Sequence, residues 1–98
     1  MSDAVRLLLV DDEERFASTL ARLLTLRQMQ VTCRLSGEEA LRDFAPGQYD
    51  VALVDVKMPG MSGVDLLDAL KRADPDLEVI ILTGHASVDI AAEIMSKG

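Results

Sequence analysis

Tryptophan is absent from this chain, and one tyrosine and two phenylalanines are its only aromatic residues. Any core must therefore be aliphatic, built from the Leu, Val, Ile, Ala and Met of a sequence that is 49% hydrophobic. Cysteine is nearly missing too. Cys33 alone excludes an intramolecular disulfide and suits a reducing compartment. A single histidine, His85, leaves no Cys/His cluster for zinc, because His85 and Cys33 fall on different predicted elements. No apolar stretch approaches the roughly 18–20 residues of a membrane span, and "MSDAVRLLLVDD" lacks the cationic start and long apolar run of a signal peptide. The expectation is a cytoplasmic protein without membrane contact. Positive charge is scarce as well. Ten Lys and Arg stand against seventeen Asp and Glu, a net charge of −7, which argues against direct nucleic-acid binding by this chain. A metal cation or a basic partner fits that balance better. No glycine-rich Walker loop is present, so ATP is not an expected ligand.

What is there alternates. Four short runs read as strands: "VRLLLV" (5–10), "QVTCRL" (30–35), "DVALVD" (50–55) and "LEVIILT" (77–83). The first, third and fourth are almost continuously apolar, as befits strands covered on both faces of a parallel sheet. Cys33 alternates with Val31 and Leu35 and reads as a small core residue. Helical period fills the gaps. Phe16, Leu20, Leu23 and Leu24 form one apolar face, with Arg15, Arg22 and Thr25 toward water. "SGEEALRDFAPGQ" (36–48) begins with a capping Ser and stops at Pro46-Gly47; "SGVDLLDALKRADPD" (62–76) runs from Ser62 to Pro75. "ASVDIAAEIMSKG" (86–98) reads as a fourth helix, with Gly98 as its stop. Without linker, repeat or low-complexity segment, residues 1–98 are expected to form one domain: a doubly wound parallel α/β sheet with right-handed crossovers.

Two strands end in acids. "LLLVD" runs into Asp11, Asp12, Glu13 and Glu14, and "VALVD" ends at Asp55. Asp at the start of a helix satisfies free backbone N–H groups, so "DDEE" has a purely capping explanation. The second acid points further. Ligands of doubly wound sheets sit beyond the carboxyl ends of the strands, where the strand order reverses. If strands one and three are neighbours, Asp11, Asp12 and Asp55 converge there, with Thr83 and Gly84 in the same layer. Carboxylates that close repel unless a cation joins them, and an all-oxygen set with few protein ligands suits Mg²⁺. The hydroxyl of Thr83 and the N–H of Gly84 then complete a phosphate-handling arrangement, with Asp55 as the nucleophile that attacks phosphorus.

These residues match a family. "LLLVDDEE", "DVALVDVKMPGMSGVDLL" and "VIILTGHAS" together resemble the receiver domain of two-component response regulators over the whole length of the chain. The stretch "LTGHASVDIAAEIMSKG" is most similar to receivers attached to enhancer-type transcription activators. The resemblance implies a flavodoxin-like fold with strand order 2-1-3-4. It implies that Asp55 accepts a phosphoryl group from the phosphohistidine of a sensor histidine kinase. Asp12 and Asp55 would ligate Mg²⁺ directly, Asp11 chiefly through water, and Lys57 through its backbone carbonyl, with its side chain solvated. Thr83 would move toward the phosphoryl oxygens after transfer, and Gly84 would offer them its N–H. Such a module is no enzyme apart from its own phosphorylation and dephosphorylation.

Family members continue past a "KG" like Lys97-Gly98 into a fifth strand and helix that carry a phosphoryl-pairing lysine and an aromatic switch residue. Lys97 cannot replace that lysine, because a helix rising about 1.5 Å per residue carries it roughly 16 Å from the site. The expectation is thus a truncated receiver that keeps its metal ligands but transfers phosphate poorly. Its exposed fourth-strand edge would favour a homodimer. Two other readings compete: a pseudo-receiver working through protein contacts alone, and a Mg²⁺-dependent phosphatase. The phosphatase would want a second acid two residues after its nucleophile, where this chain has Lys57.

Overall fold

The computed structural model describes residues 4–82. Its elements alternate as β1 (Arg6–Val10), α1 (Glu14–Leu26), β2 (Gln30–Arg34), α2 (Gly37–Asp43), β3 (Val51–Asp55), α3 (Gly63–Ala73) and β4 (Glu78–Leu82). All strand pairs are parallel, in the order β2-β1-β3-β4 expected from the resemblance. The fold is the flavodoxin-like doubly wound sheet. The predicted helix over 86–98, and with it Thr83, Gly84, His85 and Lys97, lies outside the described residues.

The apolar strands are explained by what covers them. Successive side chains of a strand point to opposite faces. Leu7 and Leu9 of β1, Leu53 and Leu82 pack with Ala17, Leu20 and Leu24 of α1. Leu8 and Val10, with Ala52 and Val54 of β3, pack on the other face against Ala40 of α2 and Leu66 and Leu70 of α3. Each fully buried Leu or Val contributes about 1.5–3 kcal/mol relative to exposure. Tyr49 is buried too, and its ring stacks on Phe44 at 6.2 Å between centroids.

Three details depart from the sequence reading. The buried stripe of α1 is Ala17, Leu20 and Leu24, while Leu23 is 37% exposed. Phe16 is only half-buried, so the stripe is turned by about one residue; Arg15, Arg22 and Thr25 do face outward. Helix α2 ends at Asp43, short of Pro46. Phe44 takes an extended backbone, φ −76° and ψ 136°, which brings its ring to Tyr49, and the residue before Pro46 is barred from helical geometry. Cys33 is half-buried, because β2 lies at the edge of the sheet and has β1 as its one strand neighbour among the described residues. Its thiol is pushed up by burial, with the charge of Arg34 acting the other way. Leu35 lies past the end of β2 and is 37% exposed.

The amino ends of the strands are tied by polar contacts that the sequence did not signal. Arg6 bonds both carboxylate oxygens of Asp50, at 3.0 and 3.3 Å, and the Gly47 carbonyl at 2.9 Å. Asp74, buried, accepts the N–H groups of Gly47 at 2.8 Å and Asp76 at 3.2 Å. The carboxyl ends are thereby left to the acids.

Candidate metal centre

Register delivers the acids. Val10 pairs with Val54, so Asp11 and Asp55 are the next residues along two adjacent strands. The N–H of Asp11 donates to the Arg34 carbonyl at 3.1 Å, and that of Val56 to the Leu82 carbonyl at 2.9 Å, so both acids leave ordered backbone. Asp12 follows Asp11 into the turn before α1. One carboxylate oxygen from each of Asp11, Asp12 and Asp55 lies within 4.8 Å of the others. The convergence expected from the sequence is present. Capping accounts for part of it: Asp11 Oδ1 accepts the Glu13 N–H at 2.9 Å. Yet the N-cap position of α1 is Glu13, whose side chain makes no capping bond.

The electrostatics of the cluster are unfavourable by themselves. Asp11 is 3% exposed and Asp55 9%, whereas Asp12 is open to solvent. Burial is the largest influence on Asp11 and raises its pKa. The Glu13 N–H opposes this, and the charges of Asp55, Asp12 and Glu13 add to the rise. Asp55 is likewise raised, first by burial and then by Asp12 and Glu13, against the N–H groups of Lys57 and Val56, which favour its charged form. The described ion pairs, Arg6–Asp50, Arg34–Asp43 and Arg72–Asp68, all lie elsewhere. A set of close carboxylate oxygens with no basic side chain among the described residues paired to it, two of them held from bulk water, fits a hard divalent cation.

The segment after Asp55 is shaped to keep its backbone near these oxygens. Lys57 is exposed, as expected for a solvated side chain, while its N–H serves Asp55. Met58 is buried in the core and Pro59 follows it. Gly60 has φ +76°, a left-handed conformation that few side chains accept. Helix α3 then begins against the end of β3, with the Gly63 N–H on the Val56 carbonyl at 3.1 Å. A Cβ on Gly63 would strike the Asp55 carbonyl oxygen. Ser62 caps this helix by accepting the Asp65 N–H at 3.2 Å. Glu13, which pushes on both buried acids, was passed over in the sequence; its signal was the uninterrupted run of four acids.

A parallel doubly wound sheet with an acid pair ending one strand and a lone acid ending its neighbour defines a class: a small α/β domain with a cluster of carboxylates at its topological switch point. The particular family follows from comparison. The chain belongs to the response regulator receiver domain family, whose model matches residues 7–98, and so to the proteins of two-component signal transduction. It is 38% identical over 90 residues to the DNA-binding transcriptional regulator NtrC of Klebsiella pneumoniae, covering 92% of this chain and 19% of that protein. It is 31% identical over 98 residues to the C4-dicarboxylate transport transcriptional regulatory protein DctD of Rhizobium meliloti, covering 100% of this chain and 21% of that one. The chain thus spans about a fifth of the length of these relatives. Among solved structures it is similar to a response regulator receiver domain protein from Clostridium thermocellum, with a TM-score of 0.78 and 36% identity over 96% of this chain and 76% of that one. It is also similar to the response regulator TrrA of Thermotoga maritima, solved in complex with Mg²⁺-BeF, with a TM-score of 0.76 and 32% identity over 91% of this chain and 79% of that one.

Proposed function

We propose that this chain is a phosphoacceptor switch module that takes a phosphoryl group from the phosphohistidine of a sensor histidine kinase onto Asp55. The observation that carries the reading is the meeting of the Asp11, Asp12 and Asp55 oxygens within 4.8 Å in a half-closed acidic pocket. Asp12, Asp55 and the Lys57 carbonyl would hold Mg²⁺ directly, with Asp11 acting through water. When bound, the ion supplies the positive charge that lets phosphoryl oxygens approach carboxylates. The residues do the rest. The Lys57 N–H favours the charged form of the Asp55 carboxylate, one oxygen of which attacks phosphorus. As that O–P bond forms, the P–N bond to the donor imidazole breaks, and the imidazole leaves with the bonding pair and takes up a proton. By the family resemblance, the hydroxyl of Thr83 and the N–H of Gly84, both outside the described residues, would receive the phosphoryl oxygens. The chemistry is performed on the chain itself, and no separate substrate is turned over.

Incubation with acetyl phosphate and Mg²⁺, read by intact mass, tests this. The wild-type chain should gain one phosphoryl group, and Asp55→Asn or added chelator should abolish the gain. Equal labelling of Asp55→Asn would reject Asp55 as acceptor. Magnesium binding without any labelling would favour a protein-interaction module instead. Pairing of two copies along β4 belongs to the same proposal. Among the described residues β4 has β3 as its one strand neighbour, and a single-chain mass in sedimentation at tens of micromolar would refute such a dimer.

A further inference from the structure

The connection from β3 to α3, residues 56–62, carries the Lys57 backbone and is held from three sides. At its neck Gly63 bonds Val56, and from beneath Met58 sinks into the core. The third hold comes from another element. Glu38, in the first turn of α2, reaches across with Oε2 to accept the Met61 N–H at 3.2 Å. The same oxygen lies 2.8 Å from where a Cβ on Gly60 would stand. The start of α2 is seated against this segment as well, since a Cβ on Gly37 would meet Met61 at 3.0–3.2 Å.

Helix α2 has no need of Glu38 for its own capping. Ser36 accepts the Glu39 N–H at 3.1 Å, and Glu39 Oε1 reaches back past the cap to accept the Leu35 N–H at 3.3 Å, so the helix start is tied without its neighbour. Glu38 is an exposed carboxylate bonded to a loop 23 residues away. That loop carries Lys57, whose N–H favours the charged form of Asp55 and whose carbonyl is the metal ligand of the proposed reading.

We infer that Glu38 is a positioning residue for the acidic pocket: its bond to Met61 fixes the 56–62 segment so that Lys57 and Asp55 are preorganised for a divalent cation. The inference rests on reading that pocket as a magnesium site. What Glu38 supplies is an acceptor oxygen at the right place, so its charge is dispensable and its reach is not.

The test compares the full chain with Glu38→Gln and Glu38→Ala. Amide hydrogen exchange without metal reads the contact, and calorimetric Mg²⁺ titration reads its consequence. Glu38→Ala should speed exchange at Met61 and leave the β3 amides as they were, and it should weaken Mg²⁺ binding roughly three- to tenfold, the scale of one lost hydrogen bond. Glu38→Gln keeps an acceptor and should stay within about twofold of wild type in both. Unchanged Met61 exchange or unchanged Mg²⁺ affinity in Glu38→Ala overturns the inference, as does a Glu38→Gln that falls as far. A wild-type chain that binds no Mg²⁺ rejects the magnesium reading itself, an outcome visible before any variant is compared.

Discussion

Asp11 and Asp55 end two adjacent strands in register, so the fold brings their charges together as the sheet forms. Both have folded pKa values raised above the ordinary carboxylate range, chiefly by burial. For a raised acid the linkage runs one way. The folded state holds the proton more tightly, so the group's contribution is full below the unfolded carboxylate range, near 4, and is lost as pH rises through the folded pKa. At neutral pH without metal the ionised pocket therefore opposes folding. Asp55→Asn removes one charge and keeps an oxygen for the Lys57 N–H, so it should raise the metal-free Tm at pH 7 by a few degrees. The gain over wild type should shrink as the pH is lowered toward 4. Thermal melts at the two pH values check this, and a variant less stable than wild type at pH 7 would contradict it. The acids were legible because an ionisable residue ending an apolar strand has few structural reasons to be there. Glu38, Asp74 and the Arg6–Asp50 clamp were not. Each is an ordinary charged residue with no local signal of its partner, which is set by tertiary approach across 23 to 44 residues.

Elements were legible to the extent that their signals were local. Ser36 and Ser62 cap the helices they were expected to cap, because a side chain that accepts an N–H three residues on depends on nothing distant. The phase of α1 was not legible, since Phe16, Leu20, Leu23 and Leu24 satisfy helical period as well as the stripe that is buried. The sheet decides between them. Leu7, Leu9 and Leu53 leave room for Ala17, Leu20 and Leu24, and Leu23 turns to the rim. The end of α2 was missed for a similar reason: Phe44 leaves the helix for Tyr49 two residues before Pro46. Substitution separates the two phases of α1. Leu20→Ala should cost about 2–5 kcal/mol in urea unfolding, the range for a truncated core leucine. Leu23→Ala should cost well under half as much, given its exposure. Equal losses would restore the phase read from periodicity.

For the whole molecule, alternation of near-continuous apolar strands with amphipathic helices was enough for the doubly wound topology, because a parallel sheet covered on both faces leaves few ways to connect it. The same assembly concentrates negative charge at one end of a chain already at −7. Two effects of added Mg²⁺ follow, and they can be separated. Any salt screens the general repulsion, whereas an ion held by Asp11, Asp12 and Asp55 stabilises the folded state alone, by about 2.7 kcal/mol at a hundredfold excess over Kd. Melts in MgCl₂ should therefore rise well above melts in NaCl of equal ionic strength. Asp12→Asn should lose most of that excess while keeping the rise that both salts produce. Coincident curves in the two salts would mean that the clustered acids respond to ionic strength alone, and the cation pocket would have to be given up even though its oxygens meet.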